Sequence, residues 1–242
     1  MARPRAATYD DQRERILHQA AELFAVQGYG GTSMNEVAQA CGVSKAALYH
    51  YVRDKSELLT LIALTHVQRL EVLTQDVLHL ELPAQQRLER LIVRFVEEYA
   101  GSRHEHRVLT EDVKFLGAQK QGQVVAAQRR VVRGFSDLVQ QVRPELAEAG
   151  LHKAVTMLLF GMINWMFTWL RPGGTITHEQ MGTMVSDLFF GGLDAVVAQA
   201  SPGQPPVPKA PKAPKAPKAP KPSSAVVTKR PAAKKAGNPG VC

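Results

Sequence analysis

The residues best suited to bind an anion follow a glycine turn, Cys41-Gly42-Val43. Ser44 can cap the short helix that follows, and Lys45 and Ala46 occupy its first turn. The first turn of a helix has free backbone N–H groups and the positive end of the helix dipole, which suit a phosphate or the edge of a base. We therefore predict nucleic-acid contacts at these three residues.

Five neighbouring residues extend this candidate surface. Thr32 and Ser33 could bond a phosphate through a hydroxyl or a backbone N–H, although helix capping alone is a sufficient reason for Ser33. Tyr49 and His50 are two polar-tipped rings close to a lysine, where plain packing is the alternative role. Lys55 occupies the first turn of the next helix, where a cation works against the dipole. Because helix stability does not explain this lysine, we predict a phosphate partner for it.

Hydrophobic spacing and capping residues predict the helices that position this surface. A first helix runs from Asp10 to the glycine at position 28, and the pattern Ser-x-x-Glu at 33–36 opens a second that ends near Ala40. A third runs from Lys45 to about Tyr51, and Asp54 with Glu57 opens a long fourth helix. Two helices joined by a glycine turn form a helix-turn-helix, whose last helix enters the DNA major groove. A corner of an ordinary helical bundle would share this pattern.

Particular residues distinguish these alternatives. The runs at 32–38 (TSMNEVA), 41–51 (CGVSKAALYHY) and 54–59 (DKSELL) resemble the signature of the TetR, or tetracycline-repressor, family. One departure is Val52, where the family usually has Phe, so we expect a slightly looser core contact there. The resemblance, which covers about residues 10–60, implies a homodimeric regulator, more often a repressor, that binds a palindromic double-stranded DNA operator. It also implies that Tyr49 and His50 touch DNA phosphates.

The remainder of the chain is predicted to be helical, with no alternating strand pattern of useful length. A fifth helix starts at Pro83. The later helices are predicted at Glu105–Ala118, Gln123–Val142, Leu151–Leu170 and Thr177–Ala200. The predicted fold class is therefore all-α. An N-terminal three-helix helix-turn-helix domain occupies residues 1–56, and a C-terminal helical ligand-binding and dimerisation domain occupies residues 57–200.

The Leu151–Leu170 segment is apolar on all sides. A membrane span needs about 18 or more apolar residues, and this run is slightly short and contains an asparagine, so we favour a buried helix and expect no membrane partner. In the TetR family the last two long helices form a four-helix dimer interface, which here would be Leu151–Leu170 and Thr177–Ala200. Four glycines would allow close helix approach or would be tolerated surface positions: Gly161, Gly182, Gly191 and Gly192.

The same segment suggests a ligand site. Asn164 is an amide that needs partners if it is buried, so it could orient a ligand or bond across a dimer. We predict a hydrophobic cavity near Asn164 and Trp165, with Phe115 on a facing helix. The stretch Gly161–Leu170 is similar to the acyl-CoA-sensing subgroup of the family, which implies a small hydrophobic effector, for example an acyl-CoA. His104-Glu105-His106 is interpreted as a solvated helix start and not as a metal site, because adjacent positions do not share a helix face.

Charge and composition limit the other function classes. The net charge is +8, but nine basic residues and no acidic residue follow Asp194, leaving 21 basic against 22 acidic residues elsewhere. Residues 201–242, with four Lys-Ala-Pro repeats, are predicted to be a disordered basic tail that binds DNA nonspecifically or has no role beyond solubility. The alternative function is a nucleoid-type architectural protein that relies on this tail.

No enzyme, cofactor or metal is expected. The chain lacks a Gly-x-Ser-x-Gly motif, a phosphate loop, a dinucleotide fingerprint and a zinc motif. The two cysteines lie at opposite ends of the chain, and residues 1–17 have no apolar signal region. These features favour a reducing, cytoplasmic location.

Overall fold

The all-α prediction is confirmed by the computed structural model, which describes residues 9–171 and 173–196. These residues form ten α-helices and two short 3-10 turns, with no strand among them. The helices are α1 (Tyr9–Gln27), α2 (Met34–Ala40), α3 (Lys45–Tyr49), α4 (Lys55–Leu78), α5 (Ala84–Gly101), α6 (Arg103–Glu111), α7 (Ala118–Val142), α8 (Pro144–Glu148), α9 (His152–Asn164) and α10 (His178–Leu193). The predictions for residues 201–242 lie outside the described residues, so the tail stays a prediction.

Local signals begin and end α2 and α3 as the sequence predicts. The Ser33 hydroxyl accepts a hydrogen bond from Glu36 N at 3.3 Å, and the Glu36 carboxylate accepts one from Ser33 N at 2.7 Å. The Ser44 hydroxyl accepts from Ala47 N at 3.1 Å and caps α3. Between the two helices, Gly42 has a φ of +66°, which glycine adopts without the steric cost of a Cβ. These features set the turn of the helix-turn-helix.

Helix α4 joins the three-helix unit to the body. The Asp54 carboxylate caps it by accepting from Glu57 N at 2.6 Å. The Glu57 carboxylate does not accept from Asp54 N, as a capping box would require. It accepts from Arg53 N at 2.6 Å and also pairs with the Arg53 guanidinium. With 24 residues, α4 is about 36 Å long. It packs against α1 at one end and against α5, α6 and α7 along the body.

The core of the body is a cluster of aromatic rings between α5, α7 and α9. Phe95 meets Phe135 edge to face with centroids 4.7 Å apart, and Phe135 meets Phe160 at 4.8 Å. Helix α10 packs closely on α5, because a Cβ added at Gly182 would lie 2.9 Å from the Val93 Cα. Gly182 therefore permits contact between two helices of the same chain.

Two predicted helices are divided in the structure, and two others have different bounds: α7 starts at Ala118 instead of Gln123, and α10 ends at Leu193 instead of Ala200. The segment expected at Glu105–Ala118 is α6, which starts at Arg103, followed by a 3-10 turn at Val113–Phe115. Gly117 then begins α7 as its N-cap, so the glycine ends one element and opens the next.

The apolar run expected as one helix over Leu151–Leu170 is also divided. Helix α9 ends at Asn164 and a 3-10 turn follows at Met166–Thr168. The physical reason is that α6 side chains bind carbonyls at this end: Arg103 Nε donates to Phe167 O at 2.8 Å, and His106 Nε2 lies 3.4 Å from Asn164 O. No helix in the described part of the chain is long and apolar enough to cross a membrane.

Candidate DNA-binding surface and ligand cavity

The predicted recognition helix α3 presents an accessible surface. Ser44, Lys45 and Ala46 are exposed at its N-terminal end, and His50 is exposed at its C-terminal end. Tyr49 has 43% of its surface exposed, which places its hydroxyl within reach of a bound molecule. The structure therefore brings five of the eight predicted DNA-contact residues together on one short helix and its two caps.

Thr32 and Ser33 differ in what they can offer to DNA. Thr32 is buried, and its hydroxyl donates to Gly28 O at 3.0 Å. That hydroxyl is therefore occupied inside the fold, and only the backbone of Thr32 remains for a phosphate. Ser33 is exposed, but its hydroxyl and N–H are both engaged in the cap of α2.

Lys55 has a role in the fold that was not predicted from the sequence. Its Nζ donates to Tyr29 O at 2.8 Å and to Thr32 O at 2.9 Å, and it lies 4.5 Å from the Tyr29 ring centroid. The premise that stability does not explain this lysine is wrong, because its ammonium group ties the turn after α1 to the start of α4. A phosphate contact by Lys55 stays a prediction, and it would have to share the ammonium group with these carbonyls.

A cavity of about 360 Å³ lies in the body between α4, α5, α6, α7 and α9. Its walls are mostly apolar, with Val67 and Leu70 from α4, Leu109 from α6, Val131 from α7 and Phe160 from α9. A mostly apolar cavity of this size with a few polar groups is typical of a small-molecule site.

A polar network at one end of the cavity includes Tyr99, His106 and Asn164, which line it from α5, α6 and α9. The Tyr99 hydroxyl donates to Asn164 Oδ1 at 2.9 Å, and the Tyr99 ring stacks on His106 with centroids 3.7 Å apart. His106 Nε2 faces the Asn164 carbonyl at 3.4 Å, so this nitrogen carries the proton. His106 Nδ1 therefore accepts from His66 Nε2 at 3.3 Å. With the proton on His66 Nε2, His66 Nδ1 is an acceptor. It is buried and has no hydrogen-bond partner among the described residues.

Both histidines are held neutral. Burial, together with the charges of His106 and Arg69, lowers the pKa of His66 to about 3. Burial lowers the pKa of His106 to about 4, against the opposing effect of the Asn164 carbonyl. Burial also raises the pKa of the Tyr99 phenol. At neutral pH this end of the cavity therefore offers hydrogen bonds but no full charge.

The predicted ligand residues are only partly in this cavity. Asn164 lines it, whereas Phe115 and Trp165 do not. Phe115 is 53% exposed and stacks on Tyr29 at 5.6 Å, because the 3-10 turn directs it toward the end of α1. Trp165 is 65% exposed, because it lies at helical spacing from the exposed Leu158 and Met162 on the outer side of α9.

Tyr99 and His106 were missed as cavity residues, and His66 was missed as the hydrogen-bond partner of His106. His106 was interpreted as part of a solvated helix start, and no ligand role was predicted for Tyr99. Their positions in the sequence could have indicated burial. Tyr99 follows the apolar Phe95 by one helical turn, and His66 precedes the apolar Val67 and Leu70, so each polar group lies beside an apolar helix face. No group of three His, Cys, Asp or Glu within residues 9–171 and 173–196 could hold a metal ion.

Helix α6 connects the cavity to the three-helix unit. His106 faces the cavity, while the adjacent Glu105 is buried on the side of α1 and pairs with His18 Nδ1 at 2.8 Å. Only one Glu105 oxygen has a partner, since Oε2 is buried and unpaired.

An outer apolar stripe lies on α9 and α10. Its members are exposed and spaced three or four residues apart: Leu158, Gly161, Met162 and Trp165 beside α9, and Met184 and Leu188 on α10. A Cβ at Gly161 would meet nothing within 4 Å. The stripe is thus an apolar surface with no cover from the described part of this chain.

Comparisons with known families agree with the fold. Residues 16–62 match "Bacterial regulatory proteins, tetR family". Residues 81–193 match "Tetracyclin repressor-like, C-terminal domain". Together the two matches cover the three-helix unit and most of the body.

Individual relatives point the same way. The HTH-type transcriptional repressor KstR2 of Mycolicibacterium smegmatis is 22% identical over 192 residues, which is 75% of this chain and 90% of that protein. The HTH-type transcriptional activator FasR of the same organism is 27% identical over 132 residues, which is 54% of this chain and 60% of that protein.

Solved structures share the architecture. A TetR-family transcriptional regulator from Bordetella parapertussis has a TM-score of 0.73 and 33% identity, covering 78% of this chain and 99% of that one. AibR, solved with isovaleryl coenzyme A and operator DNA, has a TM-score of 0.64 and 24% identity, covering 73% of this chain and 97% of that one. These similarities are to regulators and not to enzymes, and the helix-turn-helix geometry agrees with them. The chain therefore belongs to the TetR family of bacterial transcriptional regulators.

Proposed function

We propose that this chain is a cytoplasmic, dimeric repressor that binds a palindromic operator and releases it when a small hydrophobic ligand fills the cavity. The observation that carries this proposal is the mostly apolar 360 Å³ cavity, whose walls include α4 and α6. Both helices also contact α1 of the three-helix unit. A ligand in that cavity is therefore adjacent to the elements that position α3.

DNA contact is assigned to the exposed surface of α3 and its caps. Lys45 at the N-terminal end contributes charge, and Tyr49 contributes a hydroxyl. Once the operator is selected from a random DNA pool, Lys45→Ala should weaken binding and reduce the salt slope by about one ion. Lys153→Ala, which removes an exposed lysine from α9, is the matched control and should leave both unchanged. Equal binding by the wild type and Lys45→Ala would contradict the assignment.

The same assay separates the architectural alternative. A regulator that reads an operator through α3 keeps its specific binding when residues 201–242 are deleted. An architectural protein that relies on its basic tail loses its DNA binding with that deletion.

Dimerisation is assigned to the outer apolar stripe, with a second copy of the chain as its occupant. One helix-turn-helix buries little surface, so specific binding calls for two units on half-sites about 34 Å apart. A stripe that packs against its own copy around a two-fold axis supplies that pair. Leu158→Glu with Leu188→Glu should give a monomer by light scattering, whereas Val72→Glu, at an exposed apolar site on α4, should stay dimeric.

The proposed release mechanism uses two helices. Val67 and Leu70 of α4 line the cavity, while Lys55 at the start of α4 holds the turn after α1. His106 of α6 lines the cavity, while Glu105 pairs with His18 of α1. A ligand that prefers a different position of α4 or α6 would change the spacing of the two recognition helices and weaken operator binding.

The proposed ligand class is an acyl-CoA or a related lipid. A protein of the same fold has been solved with isovaleryl coenzyme A and operator DNA. That structure supports the proposal that this fold can hold such a molecule. Acyl-CoAs of increasing chain length should weaken the protein–operator complex, and Phe160→Trp should abolish that response by filling the cavity. Trp165→Phe, outside the cavity, is the control and should respond like the wild type. An operator complex that no acyl-CoA weakens would contradict this ligand class.

A further inference from the structure

The cavity has a specific pattern of hydrogen-bonding groups at its polar end. Asn164 Oδ1 accepts from Tyr99, but Asn164 Nδ2 donates to no group in the described residues. Both nitrogens of His106 are engaged, one with His66 and one with the Asn164 carbonyl. The Asn164 amide N–H groups are therefore the free donors of this network, and they match a ligand oxygen that accepts hydrogen bonds.

The charge of the cavity limits what that oxygen can belong to. The histidine pair is neutral, so no buried cation lies at the polar end to pair with an ionised carboxylate. Moving an unpaired carboxylate from water into such a site costs several kcal/mol, whereas a neutral carbonyl needs only one donor. A neutral carbonyl therefore fits the Asn164 amide better than a free acid does.

The solvent side of the cavity has a different character. Arg129 lines it from α7, is exposed, and has no hydrogen bond or ion pair with the described residues. An anion at Arg129 remains in contact with water, where a guanidinium can bind a phosphate through two parallel hydrogen bonds. The cavity thus has a neutral donor within it and a free cation at its edge.

The volume of the cavity fits an acyl chain but not a large carrier molecule attached to it. At ~30 Å³ for each water-sized group, 360 Å³ holds roughly a dozen non-hydrogen atoms. A medium acyl chain with its carbonyl occupies that space, and any large polar carrier must extend past Arg129 into solvent.

We propose that the cavity recognises an apolar ligand by a neutral carbonyl, which accepts a hydrogen bond from Asn164 Nδ2 and is favoured over a carboxylate. This inference rests on the proposed function and specifies its ligand chemistry. The carbonyl could belong to a thioester on a phosphate-bearing carrier or to a free ketone. Arg129 distinguishes the two sources, because only the first places an anion beside it.

Binding to the full-length protein by titration calorimetry tests the proposal. The probes are octanoyl-CoA, S-octyl-CoA (the thioether that lacks the carbonyl), methyl heptyl ketone and octanoate. Octanoyl-CoA should bind about three- to tenfold more tightly than S-octyl-CoA, which is the effect of one hydrogen bond. The ketone should bind at least about tenfold more tightly than octanoate.

Variants connect these preferences to particular residues. Asn164→Asp keeps an acceptor for Tyr99 but removes the amide donor, so it should abolish the preference for the thioester over the thioether. Asn164→Leu should do the same. Gln128→Leu, which removes another amide that lines the cavity, should keep the preference. Arg129→Gln should weaken both CoA probes and leave the ketone unchanged if the source is a phosphate-bearing carrier.

Some outcomes would overturn the proposal. If octanoate binds as tightly as the ketone, or if Asn164→Asp keeps the thioester preference, the carbonyl assignment is wrong while a ligand-responsive regulator still stands. If the preference disappears in Gln128→Leu but not in the Asn164 variants, the recognising amide is a different one. If no probe binds, this proposal and the proposed acyl-CoA or lipid ligand class fail together, while the operator-binding and dimerisation proposals keep their own tests.

Discussion

The free energy of unfolding should fall steeply between pH 7 and pH 5, because two buried histidines are neutral in the folded protein. The pKa of His66 is lowered to about 3 and that of His106 to about 4, mainly by burial. Both should titrate near the ordinary value of about 6.5 in the unfolded chain. The unfolded chain therefore binds more protons in this range, so stability is complete above about pH 6.5 and is lost as the pH falls.

The size of the effect follows from the two titrations. Each histidine lowers the free energy of unfolding by about 1.4 kcal/mol for every pH unit below about 6.5. At pH 5 the loss is about 2 kcal/mol per residue and about 4 kcal/mol for the pair. A typical domain is stable by only ~5–15 kcal/mol, so this loss is easily measured.

Urea denaturation followed by circular dichroism at one fixed protein concentration measures this slope. His66→Gln removes one titrating group while its amide can still donate to His106, so the slope should fall by about half. His79→Gln removes an exposed histidine and should keep the full slope. Carboxyl groups such as Glu57, whose pKa is lowered by hydrogen bonds from Arg53, lose their contribution only near and below 4.5, outside this window.

An equal free energy of unfolding at pH 5 and pH 7 would refute the reasoning, since it would mean that the folded protein accepts both protons without cost. A wild-type slope in His66→Gln, together with a reduced slope in His79→Gln, would refute the assignment to the buried pair.

Three further predictions concern stability and use the same denaturation assay at neutral pH. Gly182→Ala should destabilise the protein by about 1–3 kcal/mol, because the new Cβ would lie 2.9 Å from the Val93 Cα, whereas Gly122→Ala on α7, which meets nothing within 4 Å, should not. Phe135→Ala should cost about 3–5 kcal/mol, because this buried ring contacts two other rings in the core. Ser33→Ala should cost about 1 kcal/mol by removing the α2 cap, and a stability equal to the wild type would show that the cap contributes nothing.

The cavity was harder to predict than the helix-turn-helix. Asn164 was identified because an amide within an apolar run needs a partner, and the structure supplies Tyr99 as that partner. Trp165 was expected beside it because the two residues are adjacent in the sequence. Adjacent residues point in different directions, however, and Trp165 lies at helical spacing from the exposed Leu158 and Met162 on the outer side of α9. His106 was missed because its burial depends on α5 and α9, which are distant in the sequence.

The sequence by itself determined the helix-turn-helix, because the features that form it act over a few residues. The Ser33 and Ser44 caps bond to N–H groups three residues away, and Gly42 takes a backbone angle that its own lack of a side chain permits. Only the tertiary structure decided what Lys55 and His106 do. Lys55 bonds to carbonyls 23 and 26 residues away, and His106 bonds across 40 residues to His66. Such partners are set by how whole helices pack, which the local pattern of residues does not specify.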